Sequence, residues 1–131
     1  MTQDPTPAVA GIPRLLLRLE GAALLIVAIA MFWQRGGSWR LFAILILAPD
    51  LSFFGYLAGP RVGAIVYNAV HATLAPIALA LSGVFAASPT TIAVALIWLA
   101  HIGADRMLGY GLKYASGFGL THLGRVGRAA G

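Results

Sequence analysis

The chain has 131 residues, of which 60% are hydrophobic and 10% charged, against about 45–50% and about 25% in ordinary soluble domains. Its net charge of +5 comes from basic residues standing singly between apolar runs; this lacks the basic stripe and interleaved aromatics of a nucleic-acid binder, so no nucleic-acid partner is expected. The absence of cysteine removes disulfide frameworks, thiolate metal sites and thiol redox chemistry.

Four apolar runs follow one another, joined by short polar turns. Residues 1–12 are polar, Pro-containing and unpatterned, and are expected to be flexible. Span 1 covers about residues 13–33, with Pro13 suited to a first helical turn and Glu20 inside the run. Arg14, Arg18 and the stretch Ala28-Ile29-Ala30 imitate a cleavable signal. Met31-Phe32-Trp33 continues the run without a break, however, and Arg35 and Arg40 close it, so a retained span is expected.

Span 2 covers about residues 39–57, and Pro49-Asp50 in its middle predicts a kink or break. Span 3 covers about residues 62–85 and carries Tyr67, Asn68, His71 and Pro76. Ser88-Pro89-Thr90 forms the next turn, with Ser88 or Thr90 available as a helix cap. Span 4 covers about residues 91–110. From Val62 to Ala104 no Asp, Glu, Lys or Arg occurs, a run long enough for two spans of about 20 residues each. Residues 111–131 form a Gly-rich basic tail, expected to lie on the membrane surface with His122 exposed.

The expected fold is therefore all-α: an integral membrane, antiparallel four-helix bundle, since short loops force neighbouring spans to reverse. Arg14, Arg18, Arg61, Arg106, Lys113, Arg125 and Arg128 would then share one side, and only Arg35 and Arg40 the other. That asymmetry puts both termini in the cytoplasm. Small residues at helical spacing, Gly55, Gly59, Gly63, Ala100 and Ala104, suit close packing within one chain more than a dimer motif.

The polar residues of the spans share one depth. At about 1.5 Å per residue, Glu20, Asp50, His71, His101 and Asp105 each fall roughly 8–14 Å from the cytoplasmic ends of their spans. His101 and Asp105 are four residues apart, so they project from one helix face, and Asn68 lies one turn below His71. Ionisable groups facing lipid are expensive, so these should converge inside the bundle. The expected cluster is Asp50, His71, His101 and Asp105, facing the cytoplasm, with Asn68 behind it; Glu20 is read first as an interfacial partner of Arg14 and Arg18 and otherwise as a second residue behind the cluster. These four are also the catalytic candidates, although the sequence leaves open whether the protein is an enzyme.

Imidazole and carboxylate ligands projecting from facing helices suit a divalent metal, Zn²⁺, Mn²⁺ or Fe²⁺. A bound metal could activate water at the lipid interface, making a site that acts on membrane lipid. Arg106 and Lys113, near a Gly-containing basic edge, are candidate contacts for a lipid headgroup. Two other readings stay open: a subunit of a homo-oligomer that moves protons or small solutes, and a structural layer that only fixes helix packing. Haem ligation by His71 and His101 ranks last, because it leaves Asp50 and Asp105 without a role.

The stretches Ala48-Pro49-Asp50-Leu51-Ser52-Phe53-Phe54-Gly55-Tyr56, Tyr67-Asn68 with His71, and His101-Ile102-Gly103-Ala104-Asp105-Arg106-Met107-Leu108-Gly109-Tyr110-Gly111-Leu112-Lys113-Tyr114 resemble a family of small bacterial membrane proteins. It is catalogued as domain of unknown function 4260. The resemblance extends from span 1 to Thr121-His122-Leu123-Gly124. It implies a four-span protein of the bacterial cytoplasmic membrane and supplies no catalytic role.

Overall fold

A computed structural model of the chain describes residues 8–113 and 120–125. Of the expected flexible segment, residues 1–7 lie outside the described residues, as do residues 114–119 and 126–131 of the expected tail. The elements in order are α1 (Gly11–Gln34), α2 (Trp39–Leu45), a 3-10 helix (Ala48–Ala58), α3 (Pro60–His71), α4 (Leu74–Phe85), α5 (Pro89–Leu108), β1 (Leu120–Thr121) and β2 (Gly124–Arg125). Among the described residues, four stretches are long and apolar enough to cross a membrane: Gly11–Gln34, Trp39–Ala58, Pro60–Phe85 and Pro89–Leu108.

The boundaries follow from local chemistry. Pro13 sits in the first turn of α1, where a missing N–H costs nothing because the first four amides have no partner within the helix. The Ser38 hydroxyl accepts from the Leu41 amide at 3.3 Å and starts α2. Ser88 does the same for α5 from the Thr91 amide, also at 3.3 Å, with Pro89 as the first helical residue. α5 ends at Gly109, whose φ of 91° is left-handed. There the Gly109 amide bonds the Arg106 carbonyl at 3.1 Å and the Tyr110 amide bonds the Asp105 carbonyl at 2.7 Å, the paired bonds of a Schellman cap.

Both central spans are interrupted. Span 2 breaks where Pro49 predicts it: α2 stops at Leu45 and the chain resumes as an unusually long 3-10 helix. Span 3 also breaks, at Ala72, which is extended (φ −80°, ψ 148°) and separates α3 from α4. Pro76 accounts for this second break. In a continuous helix its missing N–H would leave the Ala72 carbonyl without a partner, and its ring would collide with that carbonyl. Placed in the first turn of α4, the same residue is harmless.

α5 is the most buried helix and packs against α1, α2 and α4, while the 3-10 helix packs on α3. Along α1, Gly21 meets Arg106 and Met107, Leu25 meets Gly103, Ala28 clusters with Leu99 and Ala100, and Phe32 clusters with Ile92 and Leu96. The approach is backbone to backbone. A methyl added at Gly103 would lie 2.7 Å from the Leu25 nitrogen and 2.8 Å from the Gly21 carbonyl oxygen, so glycine here sets the helix separation. Gly55 and Gly63 likewise seat the 3-10 helix on α3, packing within the chain. At the far end Phe32, Trp39 and Phe42 form an aromatic trio with ring centroids 5.1–5.4 Å apart. Large apolar side chains, among them Ile26, Leu47, Phe54, Ile65, Leu81 and Phe85, stand exposed, as suits helices solvated by lipid rather than water.

After α5 the chain turns back onto the helices. β1 and β2 pair antiparallel across a tight turn, Lys113 bridges to Thr121, and the Val9 amide bonds the His122 carbonyl at 3.0 Å. Leu123 is fully buried, and His122, expected on the surface, is half-buried. The tail residues that are described thus pack back onto the helices.

Candidate metal centre

α5 carries His101 and Asp105 one turn apart, so both side chains reach the same side; His101 Nε2 lies 3.2 Å from Asp105 Oδ2. His71 is the last residue of α3, and Asp50 lies in the first turn of the 3-10 helix. The two helix breaks therefore deliver the other two side chains to the same point. His71 Nε2 is 3.2 Å from His101 Nε2, 3.3 Å from Asp50 Oδ1 and 3.6 Å from Asp105 Oδ2. His101 Nε2 is 3.1 Å from Asp50 Oδ1. The four ligand atoms all lie within 4.8 Å of one another. Both histidines are buried, whereas the Asp50 side chain is 37% exposed and gives the cluster its open side.

The neighbours fix which nitrogen faces inward. His71 Nδ1 meets the Tyr67 carbonyl at 3.0 Å, and His101 Nδ1 meets the Ile46 carbonyl. A carbonyl oxygen only accepts, so both Nδ1 atoms donate, and each ring, when neutral, turns an Nε2 lone pair toward the cluster. The Ile46 carbonyl is available because of the break in span 2. In an α-helix it would take the Asp50 amide, but that amide bonds the Leu47 carbonyl at 3.0 Å. Tyr67 stacks on His71 with ring centroids 3.8 Å apart and planes 9° apart, holding the imidazole plane. Buried Ser52 donates to the Pro49 carbonyl at 2.7 Å and lies 3.5 Å from His71 Nδ1.

The end of α3 is tied to α5 through its own unpaired carbonyls. Trp98 Nε1 donates to the Val70 carbonyl at 2.7 Å, and Arg106 Nη2 donates to the His71 carbonyl at 3.3 Å. Helix C-termini leave such acceptors without partners inside the helix, and here they position His71. Tyr67, Trp98 and the Ile46 carbonyl were not assigned to the site from the sequence. Tyr67 and His71 do stand at i, i+4 spacing, which was the available signal.

The residues expected behind the cluster divide. Asn68 clamps the returning tail: its Oδ1 accepts from the Lys113 amide at 2.6 Å and its Nδ2 donates to the Lys113 carbonyl at 2.7 Å. Glu20 is exposed on α1, outside the cluster. Lys113, expected at the membrane edge, is only 5% exposed; its ammonium lies 5.0 Å from the Tyr67 ring centroid and 6.0 Å from that of Phe53. Burial pushes the Lys113 ammonium below the usual lysine value, and the charges of Asp105 and Asp50 oppose that shift.

Residues 14–126 match the domain of unknown function DUF4260, and the matched region contains all four cluster residues. The chain belongs to that family. The DUF4260 match bears out the resemblance carried by the Asp50, His71 and His101 stretches, and it runs from the start of α1 through the β1–β2 turn. No curated protein and no solved structure matches the chain.

Proposed function

We propose that this chain is a multi-pass protein of the bacterial cytoplasmic membrane that holds one divalent metal ion between Asp50, His71, His101 and Asp105. Zinc is the first choice, with manganese or iron as alternatives. The set of ligand distances carries this reading. Metal–nitrogen and metal–oxygen bonds of about 2.0–2.2 Å place tetrahedral ligand atoms about 3.3–3.6 Å apart. Five of the six separations in the cluster run from 3.1 to 3.6 Å. Two imidazole lone pairs and two carboxylate oxygens also face one another, an arrangement of acceptors that calls for positive charge at its centre.

The expected topology has its own support. As α1 proceeds from Gly21 to Phe32, its partners on α5 descend from Arg106 to Ile92, as antiparallel helices require. The Lys and Arg asymmetry then favours cytoplasmic termini and a cluster in the cytoplasmic half.

One observation favours a second reading. Arg106 and Lys113 match the two carboxylates charge for charge, as a metal-free ionic network that fixes helix packing would. Elemental analysis of purified wild-type protein beside His101→Ala separates the two. The metal reading expects about one zinc, manganese or iron per chain, lost in the variant. Wild-type protein without metal, combined with a large fall in Tm for His101→Ala, would favour the ionic network.

A further inference from the structure

α1 opens with two arginines one turn apart, Arg14 and Arg18, among the exposed apolar side chains of Ile12, Leu15, Leu16 and Leu19. Their spacing puts both guanidinium groups on one side of the helix, toward the end of α5. Arg18 Nε donates to the Met107 carbonyl at 2.9 Å, an acceptor near the α5 C-terminus. Arg14 reaches further, over Gly109 and over Gly124 of the β1–β2 turn. A methyl added at Gly109 would lie 3.6 Å from Arg14 Nη2 and 3.8 Å from Arg18 Nε, and one at Gly124 would lie 3.6 Å from Arg14 Nη2. Both positions have a left-handed backbone, with φ of 91° and 120°, and so favour glycine. The Arg14 guanidinium therefore rests on bare backbone.

The two cations converge on one point beside Gly109, and like charges brought together repel. The protein offsets little of this. Among the described residues every ion pair joins a histidine to Asp50 or Asp105, so neither arginine is paired with a carboxylate. Glu20, exposed on the same helix, makes no ion pair with either. Only the C-terminus of α5 faces them, with about half an elementary negative charge. Arg14 Nε is moreover buried without an acceptor. A buried donor on an unpaired cation is costly unless an anion meets the rest of the group.

The position says which anion. α1 and α5 are both apolar enough to cross a membrane, and the arginine pair sits at one end of each. The layer that meets such an end is that of the lipid headgroups, where a half-exposed tyrosine such as Tyr110 also belongs.

We propose that Arg14 and Arg18 bind the phosphate of an anionic phospholipid, seated between the start of α1 and the turn at Gly109, with its acyl chains along the exposed Leu15 and Leu19. The planar fork of arginine presents parallel N–H donors to phosphate oxygens. One phosphodiester charge, together with the α5 terminus, offsets most of the two positive charges. A headgroup with its own ammonium would bring a third cation to the same point, so the site takes phosphatidylglycerol in preference to phosphatidylethanolamine. It shares no residue with the metal cluster and stands whether or not that cluster holds a metal.

Native mass spectrometry of the detergent-purified chain counts bound lipid. The chain would be titrated with dioleoyl phosphatidylglycerol, with dioleoyl phosphatidylethanolamine, and with phosphatidylglycerol in the presence of inorganic phosphate. One phosphatidylglycerol per chain is expected, at about tenfold higher occupancy than phosphatidylethanolamine, the scale of a lost charge-assisted hydrogen bond. Arg14→Gln should remove that preference. Its Tm should stay at the wild-type value, since Arg14 Nε has no protein acceptor to lose. Arg35→Gln, which removes an equal charge beyond the opposite end of α1, should leave the preference intact.

Equal occupancy by the two lipids on the wild-type chain would overturn the proposal, and that comparison needs no variant to fold. A loss in Arg35→Gln as large as in Arg14→Gln would reduce the effect to general charge attraction and overturn the site. Displacement of phosphatidylglycerol by inorganic phosphate at equal concentration would assign the arginines to a soluble anion and overturn the lipid.

Discussion

The third and fourth membrane-length spans each give the cluster a histidine, by opposite means. α5 is unbroken from Pro89 to Leu108, and helical spacing alone puts His101 and Asp105 side by side. Span 3 is interrupted immediately after His71, and the interruption frees the carbonyls of Val70 and His71 for Trp98 and Arg106 of α5. Span 2 follows the second pattern, since its break releases the Ile46 carbonyl to orient His101. The straight helix thus supplies ligand spacing, and the broken ones supply hydrogen-bond acceptors that a regular helix would keep for itself. The site needs both: side chains that point inward, and backbone that fixes which imidazole nitrogen does the pointing.

Separating α5 from its support tests the rigid half of this comparison and should give the largest effect on stability. Gly103→Val puts a branched side chain where α1 backbone atoms lie within 3 Å of even a methyl. Overpacking of this kind costs about 1–3 kcal/mol or more. The expected outcome is a large fall in Tm together with weakened metal binding, read by thermal scanning and metal titration. A variant with wild-type Tm would mean that α5 is not held by this contact.

The broken half is tested by removing the cause of the break. Pro76→Ala restores an N–H for the Ala72 carbonyl and lets α3 run on into α4. The Ala75 amide would then compete with Arg106 for the His71 carbonyl. Changes to groups that orient a metal-binding histidine cost about 10–100-fold in affinity, and the lower end is expected because Tyr67 still stacks on His71. Metal titration should show about tenfold weaker binding with no loss of Tm. Unchanged affinity would make the break incidental to the site.

The contrast also explains what the sequence reveals. His101 and Asp105 on one face, Pro49 as a break, and the four shared depths are legible because periodicity, proline chemistry and the cost of burying charge act locally. The break after His71 was not anticipated, although Pro76 stands in plain view, because proline acts on the carbonyl four residues earlier and the histidine lies one residue before that. Glu20 was placed behind the cluster by depth alone, and depth says nothing about direction around a helix; its side chain is exposed on α1. Lys113 shows the complementary limit. Its charge suggests a membrane edge, and only the pairing of its backbone with Asn68, 45 residues away, turns it inward.

The smallest expected effect lies where the described tail packs back onto the helices, at His122. Its Nδ1 accepts from the Leu112 amide at 2.9 Å, so the folded state needs that nitrogen unprotonated. Burial, and then the positive charge of Arg106, push the His122 imidazole below its ordinary value. The folded chain therefore binds this proton less readily than the unfolded chain, whose histidine titrates near 6.5. The stabilisation is complete above about pH 6.5 and is lost as pH falls from there through the lower folded value. His122→Asn can keep an acceptor for the Leu112 amide without a group that titrates in this range. Thermal scans between pH 7.5 and pH 5.5 should show wild-type Tm falling more than that of the variant. Equal losses in the two proteins would assign the acid sensitivity to the cluster histidines, whose lone pairs a metal also requires, and would leave the tail without a part in it.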